Sequence, residues 1–586
     1  MDLRKNLTLA ATTAARHLLD DPVVLALQIS RRLPSRLVQP VARAVCRALP
    51  RSASAPALVA AFVSGDSGGL ARRFDKALSG GLAGNHARLA ADVALAAGEP
   101  AWADKFLSAA TGARRLPATL ARRKWYDGDM EGAVAALASQ RGGMAKHRRR
   151  LAGEMRTFSG WAPELGAVPM EPVPGRVLHF LTNSLPHTGS GYAQRGHSIL
   201  TAQRDAGWDV LAVTRLGYPV QVGKVTAREQ DVIDGVTYRR MIPTRMAATA
   251  DARMQQEAEA LLRIALEFRP EVLHTTTHFA NGLVVGAVAR ALGIPWVYEV
   301  RGQLADTWAS TRGEEARASQ RYIQFQAVEA DAMQAADQIV TLGEAMKQGI
   351  VEAGVPADKV MLAPNAVGGP FLEEPITHEE ARTALGLDPT LNYIGTVSSL
   401  VEYEGIDDLV DAFALLAPTF PSLRLLIVGN GTSLPSLREQ AKQLGLADKV
   451  TFTGRVPRES TPLYHQSLDI FVLPRKDLAV TRAVTPLKPV EALASARPVV
   501  ASDLPALREI IEENVNGRLS PADNPSGLAK VLSGMLQDPE LRQRLGTAGR
   551  RGVLELRTWN ANAAAYSAAY RKVARLKFAS RSGAHD

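Results

Sequence analysis

Cysteine is nearly absent from this 586-residue chain: Cys46 stands alone, which excludes an intramolecular disulfide and fits a reducing compartment. Long apolar runs are missing too. Gly282 to Ile294 falls short of the roughly 18–20 residues that a bilayer crossing needs, and Arg290 interrupts it. The first 30 residues hold no apolar segment followed by a small-residue cleavage site, so no secretory leader is expected and a cytoplasmic location is. Aromatic residues make up 5% of the chain and are not interleaved with the basic ones, which argues against a stacking platform for nucleic acid.

Charge is present but unevenly placed. Residues 1–160 hold 25 Lys and Arg against 12 Asp and Glu, a net of +13, whereas the remainder holds 44 against 47, a net of −3. The excess peaks at Lys146, Arg148, Arg149, Arg150 and Arg156. Such asymmetry fits contact with anionic lipid at an inner membrane face or with an acidic protein, and equally a solvated helical surface. Residues 1–160 carry apolar and Ala positions at helical spacing and no strand signal. Around 86–140 the pattern sharpens into two helical hairpins that look like tetratricopeptide repeats. Asp127-Gly128-Asp129 falls between the helices of the second pair, so it reads as a turn rather than a metal-binding carboxylate pair. This region is expected to be separable from the rest of the chain.

The length is that of roughly three or four domains. From about residue 172 apolar runs alternate with helical segments, which predicts strands at 176–181, 209–213, 271–275, 296–300, 338–342 and 360–363. After a break at 364–370 a second series follows at 392–397, 424–428, 450–453, 469–473 and 498–501. Strands separated by helices imply right-handed βαβ units and parallel sheets, and two such sheets joined by a linker leave a cleft between their carboxyl edges. The expected organisation is an all-helical region over 1–160, an α/β domain of Rossmann type over 172–370, a second over 371–559, and a helix over 560–580 crossing back to the first.

The motifs lie where those strands end. Residues 469–503 read as strand, basic loop, helix start and strand: Arg475 and Lys476 follow Pro474, Lys488 and Glu491 open a helix, and 498–501 is buried in type. Cations and backbone N–H groups converging beyond strand ends make an anion site; Glu491 there suits sugar hydroxyls. The loop after the first strand, Thr182 to Tyr192, carries Gly189 and Gly191, small enough to admit a ligand close to the backbone. His278 ends another strand, either as a hydrogen-bonded structural residue or projecting into the cleft. In Tyr298-Glu299-Val300-Arg301-Gly302, Glu299 and Arg301 share one strand face, either as an internal ion pair or as site residues. Gly429-Asn430-Gly431 and Gly454-Arg455-Val456 follow strands of the second series.

Taken in order over about 172–576, these motifs resemble the retaining glycosyltransferases of family 4, which have the GT-B fold. YEVRG (298–302), YEGID (403–407) and TPLKP (485–489) look like a bacterial branch of that family. The resemblance implies that Gly191, with Gly189, faces the donor diphosphate. It puts Arg301 near the donor sugar, Gly429 and Gly431 beside the nucleotide, Arg455 and Val456 at the base edge, and Glu491 on the ribose. Ser399 and Glu404 stand where many members have a clamping Arg and Lys, so Arg475, Lys476 and Lys488 are left to supply that charge; Ala483 replaces the first of two family glutamates. The activity implied is transfer of a hexosyl group from a nucleoside-diphosphate sugar, UDP-linked, to a glycan or lipid-linked acceptor. Anomeric configuration is retained, no metal or other cofactor takes part, and the product is a cell-surface polysaccharide or glycoconjugate. A non-catalytic scaffold with a degenerate donor site is one alternative. Another GT-B enzyme, such as a sugar-nucleotide epimerase or a phosphorylase, is the other.

Overall fold

Runs of Val, Ile and Leu too short for a helix bury both faces when helices flank a parallel sheet, and after residue 175 this is what the apolar runs do. The structure, a computed structural model, describes residues 3–20, 35–49, 52 and 54–582. The first series gives β1 (Arg176–Leu181), β2 (Asp209–Thr214), β3 (Gln230–Ile233), β4 (Val236–Arg240), β5 (Val272–Thr276), β6 (Trp296–Val300), β7 (Gln338–Thr341) and β8 (Val360–Leu362). They form one sheet of order β3-β4-β2-β1-β5-β6-β7-β8, parallel except for β3. The second series gives β9 (Asn392–Val397), β10 (Leu423–Val428), β11 (Val450–Gly454), β12 (Ile470–Leu473), β13 (Val499–Ser502) and β14 (Gly517–Ser520). These form an all-parallel sheet of order β11-β10-β9-β12-β13-β14.

Every expected strand is present with ends shifted by at most one residue. Three were not expected. β14 is short, and β3 and β4 form a hairpin whose turn residues Asp234 and Gly235 have φ of 46° and 74°, the left-handed pair that Asp-Gly favours.

The first sheet is covered on one face by helices Ala250–Phe268 and Phe279–Leu292 and on the other by helices Gly191–Asp205 and Trp559–Ser582. The last of these is the predicted return. Tyr566 and Tyr570 on it are fully buried, and Trp208 donates its indole N–H to Ser567 Oγ at 2.9 Å. The two chain crossings between the sheets run side by side: Val367 N–H donates to Arg557 O (2.9 Å), and Trp559 N–H to Val367 O (3.1 Å). A second tie comes from Glu509 of the second domain. Its carboxylate accepts the Glu344 and Ala345 N–H groups, 2.7 Å each, at the start of helix Glu344–Glu352.

The N-terminal region is helical throughout its described residues. Helices Gly84–Ala97 and Pro100–Ala109, then Leu116–Asp127 and Met130–Ala135, pair as hairpins. Asp127-Gly128-Asp129 is the turn expected: Asp129 caps the following helix by accepting Gly132 N–H at 2.8 Å. The expectation of separability fares differently, because this region shares cores with the first sheet's domain. Met130 and Phe158 pack in one cluster with Phe279, Tyr322 and Phe325, and Leu9 packs with Val220 and Ile242. Asn6 donates to Val225 O and Ala227 O, 2.9 Å each, and Arg156 pairs with Asp251. The linker runs along the same surface, Val168 N–H reaching Ala291 O at 2.8 Å.

Uncovering large apolar side chains costs about 1.5–3 kcal/mol each, so a chain starting at residue 161 is expected to aggregate or to unfold at a clearly lower temperature than the full chain. Scanning calorimetry decides this, and an unchanged midpoint would refute the shared core.

Candidate active site

The loops after β9 and β12 are fused by a close approach that only glycine allows. Gly405, the glycine of YEGID, sits at φ +67°, and a Cβ there would lie 1.8 Å from Pro474 O. Lys476 N–H donates to Tyr403 O at 3.1 Å beside it. This contact drives Glu404 under the basic loop, where it is 1% exposed.

There Glu404 accepts from Arg475 Nε (3.3 Å) and Nη2 (3.1 Å) and from Lys488 Nζ (2.5 Å). Lys488 Nζ also donates to Ser398 Oγ at 2.8 Å, and Arg475 Nη1 to Val484 O at 3.0 Å. Burial by itself would raise the Glu404 carboxyl, but Arg475 and Lys488 outweigh it and hold the group at about 2. Burial lowers the Lys488 ammonium, and Glu404 opposes that. The site thus holds two cations and one carboxylate. Glu404, which the resemblance marks as a missing cation, is the anion that holds Arg475 and Lys488 together.

Lys476 is not part of that group. Its ammonium meets Asp408 at 2.7 Å and Asp407 at 2.9 Å, so its charge is matched away from Arg475 and Lys488. Ser399 is exposed next to Ser398. Gly429 and Gly431 lie against that same loop: Ser398 N–H donates to Val428 O (2.8 Å) and Leu400 N–H to Asn430 O (3.1 Å). Glu491 is half-buried with His465 Nε2 at 3.7 Å, and His465 is fully buried. Arg455 is exposed and Val456 half-buried after β11.

Arg455 reaches the opposite domain, where its Nη2 stands 3.4 Å from the position a Cβ would take on Gly189. The Gly189 loop and the Arg455 loop therefore face each other across the cleft. Gly191 begins helix Gly191–Asp205, capped by Ser190 Oγ accepting Ala193 N–H at 3.3 Å, and nothing lies within 4 Å of where its Cβ would be. That helix presents its positive end to the open space.

Arg301 is in the ion pair that the shared strand face allows. Arg301 Nη2 donates to Glu299 Oε2 at 2.7 Å, and both residues are buried. Arg301 also donates to Tyr192 O at 3.2 Å, which ties it to the Gly191 helix. His278 caps helix Phe279–Leu292, its Nδ1 accepting Ala280 N–H at 3.2 Å, while its ring packs on Phe279 and Phe325. Burial, with Arg321 near, pushes its imidazole down to about 4. It lines a cavity toward the N-terminal helices.

Four residues escaped sequence reasoning: Arg195, Asn365, Ser398 and His465. Arg195 donates to Glu299 Oε1 (2.8 and 3.0 Å) and to Ala363 O (2.7 Å), and Asn365 Nδ2 to Thr485 O (2.8 Å). Each lies far along the chain from its partner, so no local pattern marks it.

Residues 190–366 match the family model described as glycosyl transferase 4-like domain, and residues 377–552 match the model described as glycosyl transferases group 1. Among curated proteins, the alpha-monoglucosyldiacylglycerol synthase of Streptococcus pneumoniae is 26% identical over 48% of this chain and 63% of its own length. A GDP-mannose-dependent alpha-(1-6)-phosphatidylinositol monomannoside mannosyltransferase of Mycobacterium tuberculosis is 31% identical over 36% of this chain and 55% of its own. The chain thus matches a little over half the length of these relatives. Among solved structures, sucrose-phosphate synthase from Thermosynechococcus elongatus superposes with a TM-score of 0.57 at 21% identity, over 68% of this chain and 99% of that one, which shows the fold. With the two family models in tandem on two facing sheets, residues 190–552 belong to the GT-B glycosyltransferases of the GT4 type.

Proposed function

We propose that this chain moves a hexosyl group from a nucleoside-diphosphate sugar, UDP-linked, to a glycan or lipid-linked acceptor with retention at the anomeric carbon, in the synthesis of a cell-surface polysaccharide or glycoconjugate. The observation that carries the reading is the Glu404-held pair of cations in the loops beyond β9 and β12, on the carboxyl edge of the second sheet. In this reaction the bond from the anomeric carbon to the diphosphate oxygen breaks, and the leaving diphosphate gains negative charge. Fixed cations and N–H donors placed there lower the barrier.

The hydrogen bonds divide the labour. Arg475 spends three nitrogens on Glu404 and Val484 O, so it acts as a positioning residue. Lys488 has a side chain 20% exposed and an ammonium on a flexible stem, so it is the group assigned to the diphosphate, with the Gly191 helix end opposite. Arg455 and Gly189 meet over the nucleotide, and the paired crossings at 364–370 and 557–559 allow closure that excludes water.

Residues of the N-terminal excess, exposed Arg141, Lys146 and Arg149 among them, are proposed to hold the enzyme at anionic lipid. No described helix is long and apolar enough to cross a membrane.

Lys488→Ala is expected to lower turnover at least about tenfold, roughly 1.4 kcal/mol of transition-state stabilisation, while a chelator leaves activity intact. In calorimetric titration UDP should bind more tightly than GDP; binding of neither would overturn the donor assignment.

Glu404→Gln leaves buried Arg475 and half-buried Lys488 unmatched, a loss of about 3–5 kcal/mol in unfolding free energy. UDP should restore more stability to this variant than to the parent, since its diphosphate supplies the missing charge. Because the folded Glu404 carboxyl lies at about 2, below the ordinary 4.5, its stabilising contribution is complete above about pH 4.5 and fades as pH falls toward 2. Acid unfolding curves of the two proteins should therefore converge at the low end; a gap that persists there would contradict the ion cluster.

For the lipid proposal, the full chain should sediment with phosphatidylglycerol vesicles at low salt and release as salt rises, screening at about 0.15 M reaching about 8 Å. Absence of sedimentation at low salt would rule it out.

A further inference from the structure

Where the N-terminal helices meet the first sheet they line an open cavity of about 370 Å³. Its floor is the carboxyl edge of that sheet, with Arg215 just after β2 and His278 just after β5. Arg253 and Glu257, in the first turns of helix Ala250–Phe268, make one wall. Glu154 and Thr157, in the last turn of helix Gly142–Thr157, make the facing wall. The cavity is therefore built jointly by the sheet edge of a GT-B half and by a region that precedes both family-model matches.

That second wall is fixed in place. Gly153 lets its helix press against the start of helix Ala250–Phe268, since a Cβ there would fall 2.6 Å from Asp251 Oδ1 and 2.7 Å from Thr249 Cβ. Arg156 pairs with Asp251 on the same contact.

The polar part of the lining suits a hydroxyl-rich, anionic ligand. Arg215, Arg253 and Arg321 supply guanidinium donors, and Glu154 and Glu257 supply carboxyl oxygens. Sugar hydroxyls need both kinds, as each donates and accepts. The Glu257 carboxyl accepts Leu216 N–H at 2.6 Å, and burial pushes it up to about 7; Glu154 is raised by burial as well. Three guanidinium groups outnumber the two carboxyls in the lining, and arginine is the side chain best shaped for carboxylate or phosphate. The volume lies at the low end of the roughly 300–1,000 Å³ typical of small-molecule sites.

Position connects the cavity to the donor side. Asn281, on the helix that His278 caps, donates to Thr182 Oγ1 at 2.9 Å, the start of the Gly189–Gly191 loop. Thr277, next to His278, accepts Arg301 N–H at 2.8 Å.

We propose that this cavity is an acceptor subsite for a negatively charged saccharide unit and that the N-terminal helical region is its outer wall. The acceptor role rests on the transferase reading above. The region ahead of the two GT-B halves is then part of what selects the acceptor.

The test uses the full chain with three sugars, glucose 6-phosphate, glucuronic acid and glucose, followed by saturation-transfer NMR with UDP present. At least one of the two anionic sugars should bind at least tenfold more tightly than glucose, and the comparison between those two tells phosphate from carboxylate. Arg253→Met, and Ala250→Trp, which fills the space, should each weaken binding of that sugar at least tenfold while UDP affinity stays unchanged. Two variants keep the test valid if the bulky one does not fold. Binding of the anionic sugar unchanged in a folded variant, or no preference for an anion over glucose, would overturn the subsite. Failure of UDP to bind the unaltered protein would instead overturn the transferase reading, and with it the acceptor role.

Discussion

A single buried carboxylate, Glu299, ties the core of the first domain to the crossing that leads into the second. It is completely shielded from solvent and accepts from Arg195 and Arg301, with His274 3.5 Å away. Burial would raise its carboxyl, yet Arg301 and Arg195 hold it far below the ordinary carboxylate range. Breaking such a pair by removing one partner costs about 3–5 kcal/mol, because the remaining charge has no water to turn to. The partners are well chosen for that reason: Arg195 runs on from Glu299 to Ala363 O, Pro364 O and Asn365 Oδ1, so its guanidinium has four acceptors. The last three lie at the start of the first crossing between the sheets. The core of one domain is thereby bonded to the hinge of both.

From the hinge the connection continues into the second site. Asn365 donates to Thr485 O, the first residue of TPLKP, and three residues later Lys488 donates to Glu404. Each half is thus organised around one buried carboxylate holding two cations, with an asparagine between them. A shift at the hinge moves Thr485 and therefore the loop that carries Lys488. In the proposed reaction, closure of the two domains and placement of the Lys488 ammonium at the diphosphate would be one movement, which would give closure a chemical consequence beyond the exclusion of water.

How much was legible in the sequence depends on how local each signal is. The strands were readable because a parallel sheet buries both faces, and an apolar run of four to six residues has no other use between helices. Glu299 and Arg301 were placed on one strand face by period two alone, and they meet at 2.7 Å. Arg195 was not readable: it sits on a helix whose polar positions carry no sign of which strand they touch. The β3–β4 hairpin did announce itself through Asp234-Gly235, but a pattern of alternating strands and helices passes over a short antiparallel edge. Glu404 was visible as a departure, yet its meaning was not. Taken one residue at a time, it subtracts a charge from the diphosphate site; in three dimensions Gly405 pressing on Pro474 O brings it beneath Arg475, where a carboxylate is what keeps two cations close together.

The net charge of the N-terminal region shows the same limit from another side. Much of its excess is spent inside the fold. Arg88 and Arg122 flank buried Asp92 at 2.9 and 2.7 Å, Arg73 donates to the carbonyls of Leu49 and Ser52, and Arg156 reaches Asp251 in the next domain. A sum of charges counts these the same as Lys146 or Arg149 on the surface. Apolar positions are equally ambiguous before folding: nothing in the spacing around Phe158 says that it packs on Phe279 and Phe325 (ring centroids 5.0 and 5.4 Å away) rather than among the N-terminal helices. Those contacts turn a helical extension into a wall of the catalytic body. A region read as an appendage for docking elsewhere is held by the first domain's own core, and the acceptor role proposed for it would be exerted from there.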